Sequence, residues 1–132
     1  MSEGTHRFSF EPRLLKLEEL EGISDPYEKQ FALYAHRAGF EVREAGMITL
    51  NRVKREKQDK LSTYPDFLVN GVFVEITKGE NLGGRKAGQK RVMEEAGLPY
   101  VQLTGQQVAG LSEKSNLRDA ITELLTPSYS EE

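Results

Sequence analysis

Apolar residues in the first third of the chain recur at the spacing of an amphipathic helix. The stripe advances by four, three and four residues: Tyr27, Phe31, Tyr34 and Ala38. Such spacing predicts one buried helix face. Ser24-Asp25-Pro26 is typical of a helix start, because a capping side chain precedes a proline in the first turn. Gly39 is typical of a helix end.

The pattern then changes to β-prone runs. Residues 40–43 and 47–50 are short runs of this kind, and a proline opens a third run at 64–69. Asn70-Gly71 follows, a dipeptide typical of two-residue hairpin loops. Residues 72–77 are therefore predicted to return antiparallel to 64–69.

Three segments complete the pattern. Residues 51–63 are too polar for a core, and we interpret them as a basic, mobile loop. A second helix is predicted from Arg85 to Ala96, followed by a short strand at 99–103. Leu117, Ile121 and Leu124 predict a last amphipathic helix, which ends before Pro127.

The element order predicts an α/β or α+β fold with a central mixed β-sheet flanked by helices. The order is α-β-β-β-α-β plus a C-terminal helix. A length of 132 residues predicts a single domain. Its parts are a peripheral arm or short helix (1–22), a core (24–103), a C-terminal helical segment (104–126) and a frayed tail (127–132).

Composition excludes several classes of site. The chain has no cysteine, which excludes a disulfide scaffold, a thiolate zinc site and a cysteine nucleophile. No apolar run approaches the about 18 residues of a membrane span, and the N-terminus lacks the pattern of a signal peptide. We expect no membrane partner and a location in the cytoplasm, or in the interior of a phage-infected host cell.

Basic residues are concentrated in one part of an acidic chain. The net charge is −3, yet residues 52–91 hold ten Lys or Arg against five Asp or Glu. Such a segment is either a solvated basic face or a surface for phosphates. If it binds DNA, Arg52, Lys54 and Arg55 are the first candidates for contact with the backbone.

Two carboxylates stand in apolar strand segments, where acidic residues are rare unless paired or bound to a cation. Asp66 follows Pro65, and Glu75 is in the middle of 72–77. The Asn70-Gly71 turn predicts that positions 66 and 75 are directly opposed on one face of the sheet. Two like charges there favour a cation between them, and Mg²⁺ or Mn²⁺ suits such oxygen ligands.

The segments 63–69 and 74–79, joined by the hairpin, resemble the signature of the PD-(D/E)xK nuclease superfamily. This superfamily includes restriction endonucleases, archaeal Holliday-junction resolvases, VRR nucleases and TnsA-type transposon endonucleases. The resemblance covers residues 24–103. It implies a restriction-endonuclease-like core of a helix, three strands, a helix and a further strand, and hydrolysis of DNA with Mg²⁺, for which Mn²⁺ would substitute.

The resemblance also implies residue roles. Asp66 and Glu75 would bind the metal with the backbone carbonyl of Ile76. Glu28, near the start of the first helix, would bind it directly or through water. The metal would polarise the scissile phosphate and generate the attacking hydroxide.

The lysine of the family motif stands two residues after the second carboxylate, where this chain has Thr77. Lys78 follows, but in a regular strand it points away from Glu75. A bulge after Glu75 could turn Lys78 inward, or Lys86 or Lys90 could take over the role. Alternatively, the catalytic site is weakened and the domain is a binding module without nuclease activity.

The helix after the motif commonly carries polar or basic residues beside the active site in the family. Lys86, Gln89 and Lys90 are the candidates here for phosphate contacts. Tyr64 either stacks on a base or packs in the core, and core packing is the expectation.

The primary hypothesis is a metal-dependent endonuclease that acts on DNA. The alternatives are a nuclease-like module that binds DNA or a partner protein, and a structural component of a phage, transposition or repair complex. A small domain has few elements for reading sequence, so a homodimer or a partner subunit is expected to contribute specificity.

Overall fold

The structure is a computed structural model that describes residues 6–9, 11–54, 57–77 and 85–126. The strands are β1 (His6–Ser9), β2 (Arg13–Leu14), β3 (Val42–Glu44), β4 (Ile48–Lys54), β5 (Lys57–Thr63), β6 (Phe67–Val69), β7 (Val72–Thr77) and β8 (Tyr100–Thr104). The helices are α1 (Leu17–Glu21), α2 (Pro26–Arg37), α3 (Arg85–Ala96), α4 (Gly105–Ala109) and α5 (Leu117–Leu124), with a 3₁₀ turn at Gly110–Glu113.

Two sheets form within the described residues. The larger has five strands in the order β2-β3-β6-β7-β8, and the smaller has three in the order β1-β4-β5. In the larger sheet only the β7–β8 pair is parallel. A parallel pair needs a crossover, which α3 provides. The predicted class, a mixed α/β fold with a central mixed sheet flanked by helices, is confirmed.

Helix α2 begins where the sequence predicts. The Asp25 carboxylate accepts hydrogen bonds of 3.0 Å from the backbone N–H groups of Tyr27 and Glu28. These groups have no partner inside a helix, so the cap stabilises its first turn. Pro26 occupies the first helical position. Gly39, with a φ of +96°, turns the chain away after the helix.

The β6–β7 hairpin also follows the prediction. Asn70 and Gly71 have φ angles of +54° and +78°, the positive values that type I′ turns require. Val69 pairs with Val72, and Phe67 pairs with Val74.

The core lies on both faces of the larger sheet, because side chains alternate along each strand. Val72, Val74 and Ile76 of β7 pack against buried residues of α2, α4 and α5. On the opposite face, Phe73 and Tyr100 pack with Met93 of α3 and Ile48 of β4. The second face also carries Glu75.

The N-terminal segment, for which the sequence predicts a peripheral arm or a short helix, forms the short helix α1 at Leu17–Glu21. Its described part adds β1 to the smaller sheet and β2 to the larger one. Leu20 of α1 is fully buried in the main core. The charged residues around Leu20 hide this role in the sequence, because α1 is too short to show a repeated apolar stripe.

The described residues of 51–63 do not form the mobile loop that the sequence predicts. Residues 51–54 belong to β4 and residues 57–63 form β5, and the two strands pair from Ile48↔Thr63 to Lys54↔Lys57. Backbone hydrogen bonds between strands form whatever the side-chain polarity. The fully buried Ile48 anchors the hairpin to the core.

None of the helices in the described part of the chain is long and apolar enough to cross a membrane.

Candidate functional site

Asp66 occupies a bend immediately before β6. Pro65 before it is buried, which fixes the chain where it enters the strand. The Oδ2 atom of Asp66 accepts a hydrogen bond of 2.8 Å from the backbone N–H of Ile76. The carboxylate is therefore tied to the neighbouring strand.

Glu75 is in the middle of β7 and only 5% exposed, and its Oε1 atom is buried. The register that the sequence predicts for this hairpin is confirmed. One position beyond the Phe67↔Val74 pair, that register sets Asp66 opposite Glu75. Directly opposed residues share a face of the sheet, so this register assigns Asp66 and Glu75 to the same face.

The backbone of Ile76 adds an oxygen atom to the site, and Asp66, Glu75 and Ile76 together form what is called the corner. In a β-strand, the N–H and C=O groups of one residue point to the same side. The N–H of Ile76 points towards β6, where it donates to Asp66. The carbonyl of Ile76 therefore points towards the β6 side as well, at a level beyond Phe67, the first residue of that strand.

Glu28 and Asp66 line one cavity of about 590 Å³. The first turn of α2 supplies Glu28, so the capped start of this helix positions its carboxylate. Glu19 of α1 and Glu44 of β3 line the same cavity. The sequence groups Glu28 with Asp66, and in the structure these two residues line the same cavity.

Arg13 brings a positive charge into this acidic cavity. Its guanidinium lies 2.7 Å from a carboxylate oxygen of Glu19 and 3.3 Å from one of Glu44. The hydrogen bond and charge of Glu19 raise the pKa of Arg13. The backbone N–H of Lys16 and then Arg13 hold the pKa of Glu19 below its usual value.

The donor set fits a hard cation with few protein ligands. In the part of the chain that the structure describes, no group of three or more His, Cys, Asp or Glu residues is arranged to hold a metal ion. The corner instead offers the carboxylates of Asp66 and Glu75 and a backbone carbonyl. Mg²⁺ commonly binds proteins through one or two carboxylates and keeps several waters, so this set suits it.

A polar network lies next to Glu75 on the same face of the sheet. Glu75 pairs in register with Gln102 of β8, and Gln102 donates a 2.9 Å hydrogen bond to the Tyr100 hydroxyl. That hydroxyl donates in turn to Oε1 of Gln89 on α3. Gln89, a predicted phosphate contact, therefore lies over the face that carries Glu75.

Burial, together with the negative charge of Asp66, raises the pKa of Tyr100 to about 12, against a lowering by the Gln102 hydrogen bond. Sequence reasoning missed Tyr100 and Gln102. A signal was present, because Gln102 interrupts an apolar strand as Glu75 does.

Thr77 is fixed within the fold at the position of the family lysine. It is 3% exposed, and its hydroxyl donates to the backbone carbonyl of Leu103 at 3.3 Å. The β7–β8 pairing runs without interruption to Thr77↔Thr104, so β7 has no bulge between Glu75 and Thr77. Lys78 and Arg55 lie outside the described residues, as do the side chains of Arg52, Lys54 and Lys86.

Lys90 lies at the other end of this face. Its side chain is exposed and lines a second cavity of about 380 Å³ together with Gln102 and Gln107. Gln102 is two strands from Asp66, about 10 Å at the usual strand spacing. Lys90 therefore lies beside the polar network rather than in the cavity of Asp66.

Tyr64 does not pack in the core, contrary to the expectation from sequence. Its side chain is 65% exposed and lines the cavity that contains Asp66. The adjacent Pro65 is buried in its place.

No protein-family model, curated protein or solved structure matches this chain.

Proposed function

We propose that this protein is a metal-dependent nuclease that hydrolyses DNA phosphodiester bonds, as an endonuclease of the PD-(D/E)xK type. The observation that supports this proposal most strongly is the corner formed by Asp66, Glu75 and the backbone of Ile76. It presents two carboxylates and a carbonyl beside an open cavity that also contains Glu28.

The topology supports this proposal. Leaving out the β4–β5 hairpin, the elements around the site run α2, β3, β6, β7, α3 and β8. The restriction-endonuclease-like core that the resemblance implies has the same order of a helix, three strands, a helix and a strand. Asp66 stands at the start of the second of these strands and Glu75 within the third, as in the family signature.

In the proposed mechanism, Asp66, Glu75 and the Ile76 carbonyl would hold the metal. When bound, Mg²⁺ would polarise the phosphate and lower the pKa of a coordinated water. The Ile76 N–H keeps the Asp66 carboxylate in one orientation. Glu28 adds negative charge on the cavity side and would bind the metal directly or through water.

A lysine near Glu75 would assist the attacking water. The candidates are Lys78, which follows the last described residue of β7, and Lys86 and Lys90 of α3. Thr77 cannot replace the positive charge of a lysine, since its hydroxyl is neutral, and that hydroxyl already donates to a backbone carbonyl.

The direct test is cleavage of plasmid, branched and single-stranded DNA with Mg²⁺ or Mn²⁺. Wild-type protein is expected to cut at least one substrate, and Asp66→Asn and Glu75→Gln to cut none. Glu113→Gln, a change at an exposed carboxylate outside both cavities, is the matched control and should retain full activity. Wild-type protein that cuts no substrate with either metal would overturn the proposal.

A second candidate is a nuclease-fold module that binds DNA or a partner protein within a phage, transposition or repair complex. The buried Thr77 in place of a lysine favours it. DNA affinity that falls with salt, needs no divalent metal and leads to no cleavage would identify this function. Binding to a protein partner without binding to DNA would identify a structural component of such a complex.

A further inference from the structure

An exposed apolar pair stands at the mouth of the cavity that contains Asp66. Tyr64 is 65% and Met47 is 46% exposed. Met47 precedes β4 and Tyr64 follows β5, so the register of the Ile48↔Thr63 pair sets them opposite each other. Tyr64 lines the cavity, as does Gly46 next to Met47.

The backbone holds Tyr64 in a fixed position. A residue before proline is restricted to extended conformations, and Pro65 is itself buried. On the other side, Thr63 is 6% exposed and paired within the β4–β5 ladder. Asp66 follows two residues later, at most about 7 Å along an extended chain. The backbone that carries the ring is thus held in place close to Asp66, while the surface of the ring faces solvent.

We propose that Tyr64 stacks on an unpaired base next to the scissile phosphate, with Met47 contacting the edge of that base. This deepens the nuclease proposal and rests on it. An aromatic face accepts any base, because every base has a π-face. Bases inside a duplex are covered by their neighbours, so only an unpaired one offers its face. The substrate class is therefore DNA with a single-stranded or unpaired nucleotide at the cleavage position.

The chain contains no tryptophan, so Tyr64→Trp introduces a single fluorescent reporter. We expect a single-stranded oligonucleotide, added with Ca²⁺ in place of Mg²⁺ to prevent cleavage, to quench its emission at least twofold. The same oligonucleotide with abasic sites and a blunt duplex should not quench it. Leu17→Trp, at a position 44% exposed and outside the cavity lining, is the matched control and should be unaffected.

The affinity of the protein gives a second test. Tyr64→Ala is expected to weaken binding of the single strand by about 5- to 150-fold, the range for stacking on one base, and to leave duplex binding unchanged. Tyr64→Phe should bind as wild type does, because it retains the ring.

Equal quenching by the abasic strand, quenching by no oligonucleotide, or equal weakening of duplex binding in Tyr64→Ala would each overturn the stacking proposal. Cleavage of DNA by wild-type protein without such quenching would leave the nuclease proposal standing alone. Quenching without cleavage would support base stacking and count against the nuclease.

Discussion

The Asp66 carboxylate accepts a 2.8 Å hydrogen bond from the backbone N–H of Ile76 across the β6–β7 hairpin. This bond joins the side chain of one proposed metal ligand to the backbone of another. A change at Asp66 therefore affects both the charge of the site and the pairing of two central strands.

The two effects are separable by substitution. Asp66→Asn retains an oxygen that accepts from Ile76, and we expect its free energy of unfolding to stay within about 0.5 kcal/mol of wild type. Asp66→Ala removes the acceptor and should lose about 1 kcal/mol or more, because a part-buried N–H is left without its partner. Both variants should lose the Mn²⁺ site.

Urea denaturation measures the stability and isothermal titration measures the metal binding. If Asp66→Asn were as unstable as Asp66→Ala, the hydrogen bond would not be the stabilising contact. Wild-type Mn²⁺ affinity in either variant would remove Asp66 from the metal site.

The raised pKa of Tyr100 predicts that the folded protein loses stability in strong alkali. Its pKa is raised from 10.0 to about 12 in the folded protein, chiefly by burial. The unfolded chain releases this proton at lower pH than the folded one. The stabilisation is therefore fully present below pH 10 and is lost as the pH rises towards about 12.

Urea midpoints measured from pH 9 to 12 should fall less steeply for Tyr100→Phe than for wild type. Tyr64→Phe, at an exposed ring, is the matched control and should follow the wild-type profile. Identical profiles for all three proteins would contradict the assignment of the raised pKa to Tyr100.

The hairpin turn predicts a graded response at Gly71. Its φ of +78° is costly for alanine, while the space around an added Cβ is open. Gly71→Ala is expected to lower stability by about 1–2 kcal/mol, and Gly71→Asn by less, because asparagine tolerates this conformation. Thermal unfolding measures both. A larger loss in the asparagine variant would mean that backbone conformation is not the controlling factor.

Lys90 predicts a change in the salt dependence of DNA binding. Lys90 is exposed beside the polar network, where it can contact a DNA phosphate. One such contact would release about one counterion from the DNA. Lys90→Gln should reduce the slope of log affinity against log salt by about 0.9, whereas Lys114→Gln, outside both cavities, should not alter it. Fluorescence anisotropy at several salt concentrations measures these slopes, and equal slopes would remove Lys90 from the DNA interface.

Local chemistry explains why parts of the fold were predictable. Asp25 and Pro26 determine the start of α2 through contacts within one helical turn. Asn70 and Gly71 determine the hairpin through their own backbone angles, and the hairpin register then places Asp66 opposite Glu75. No distant part of the chain is needed for either result.

Other parts depend on pairing between distant segments. The polar β4 becomes a strand because β1 and β5 satisfy its backbone on both sides. Gln102 lies beside Glu75 only because β7 and β8 pair in parallel, and Arg13 enters the cavity only because β2 joins the sheet beside β3. Side-chain periodicity carries no information about such lateral neighbours.

The sequence by itself determined the acidic pair, its register and the capped helix that presents Glu28, because all three depend on short-range backbone preferences. Only the tertiary structure decided that Tyr64 is exposed beside Asp66 and that Thr77 is bonded within the sheet. Burial is a property of the assembled layers, since whether a side chain meets solvent depends on which distant segments cover it.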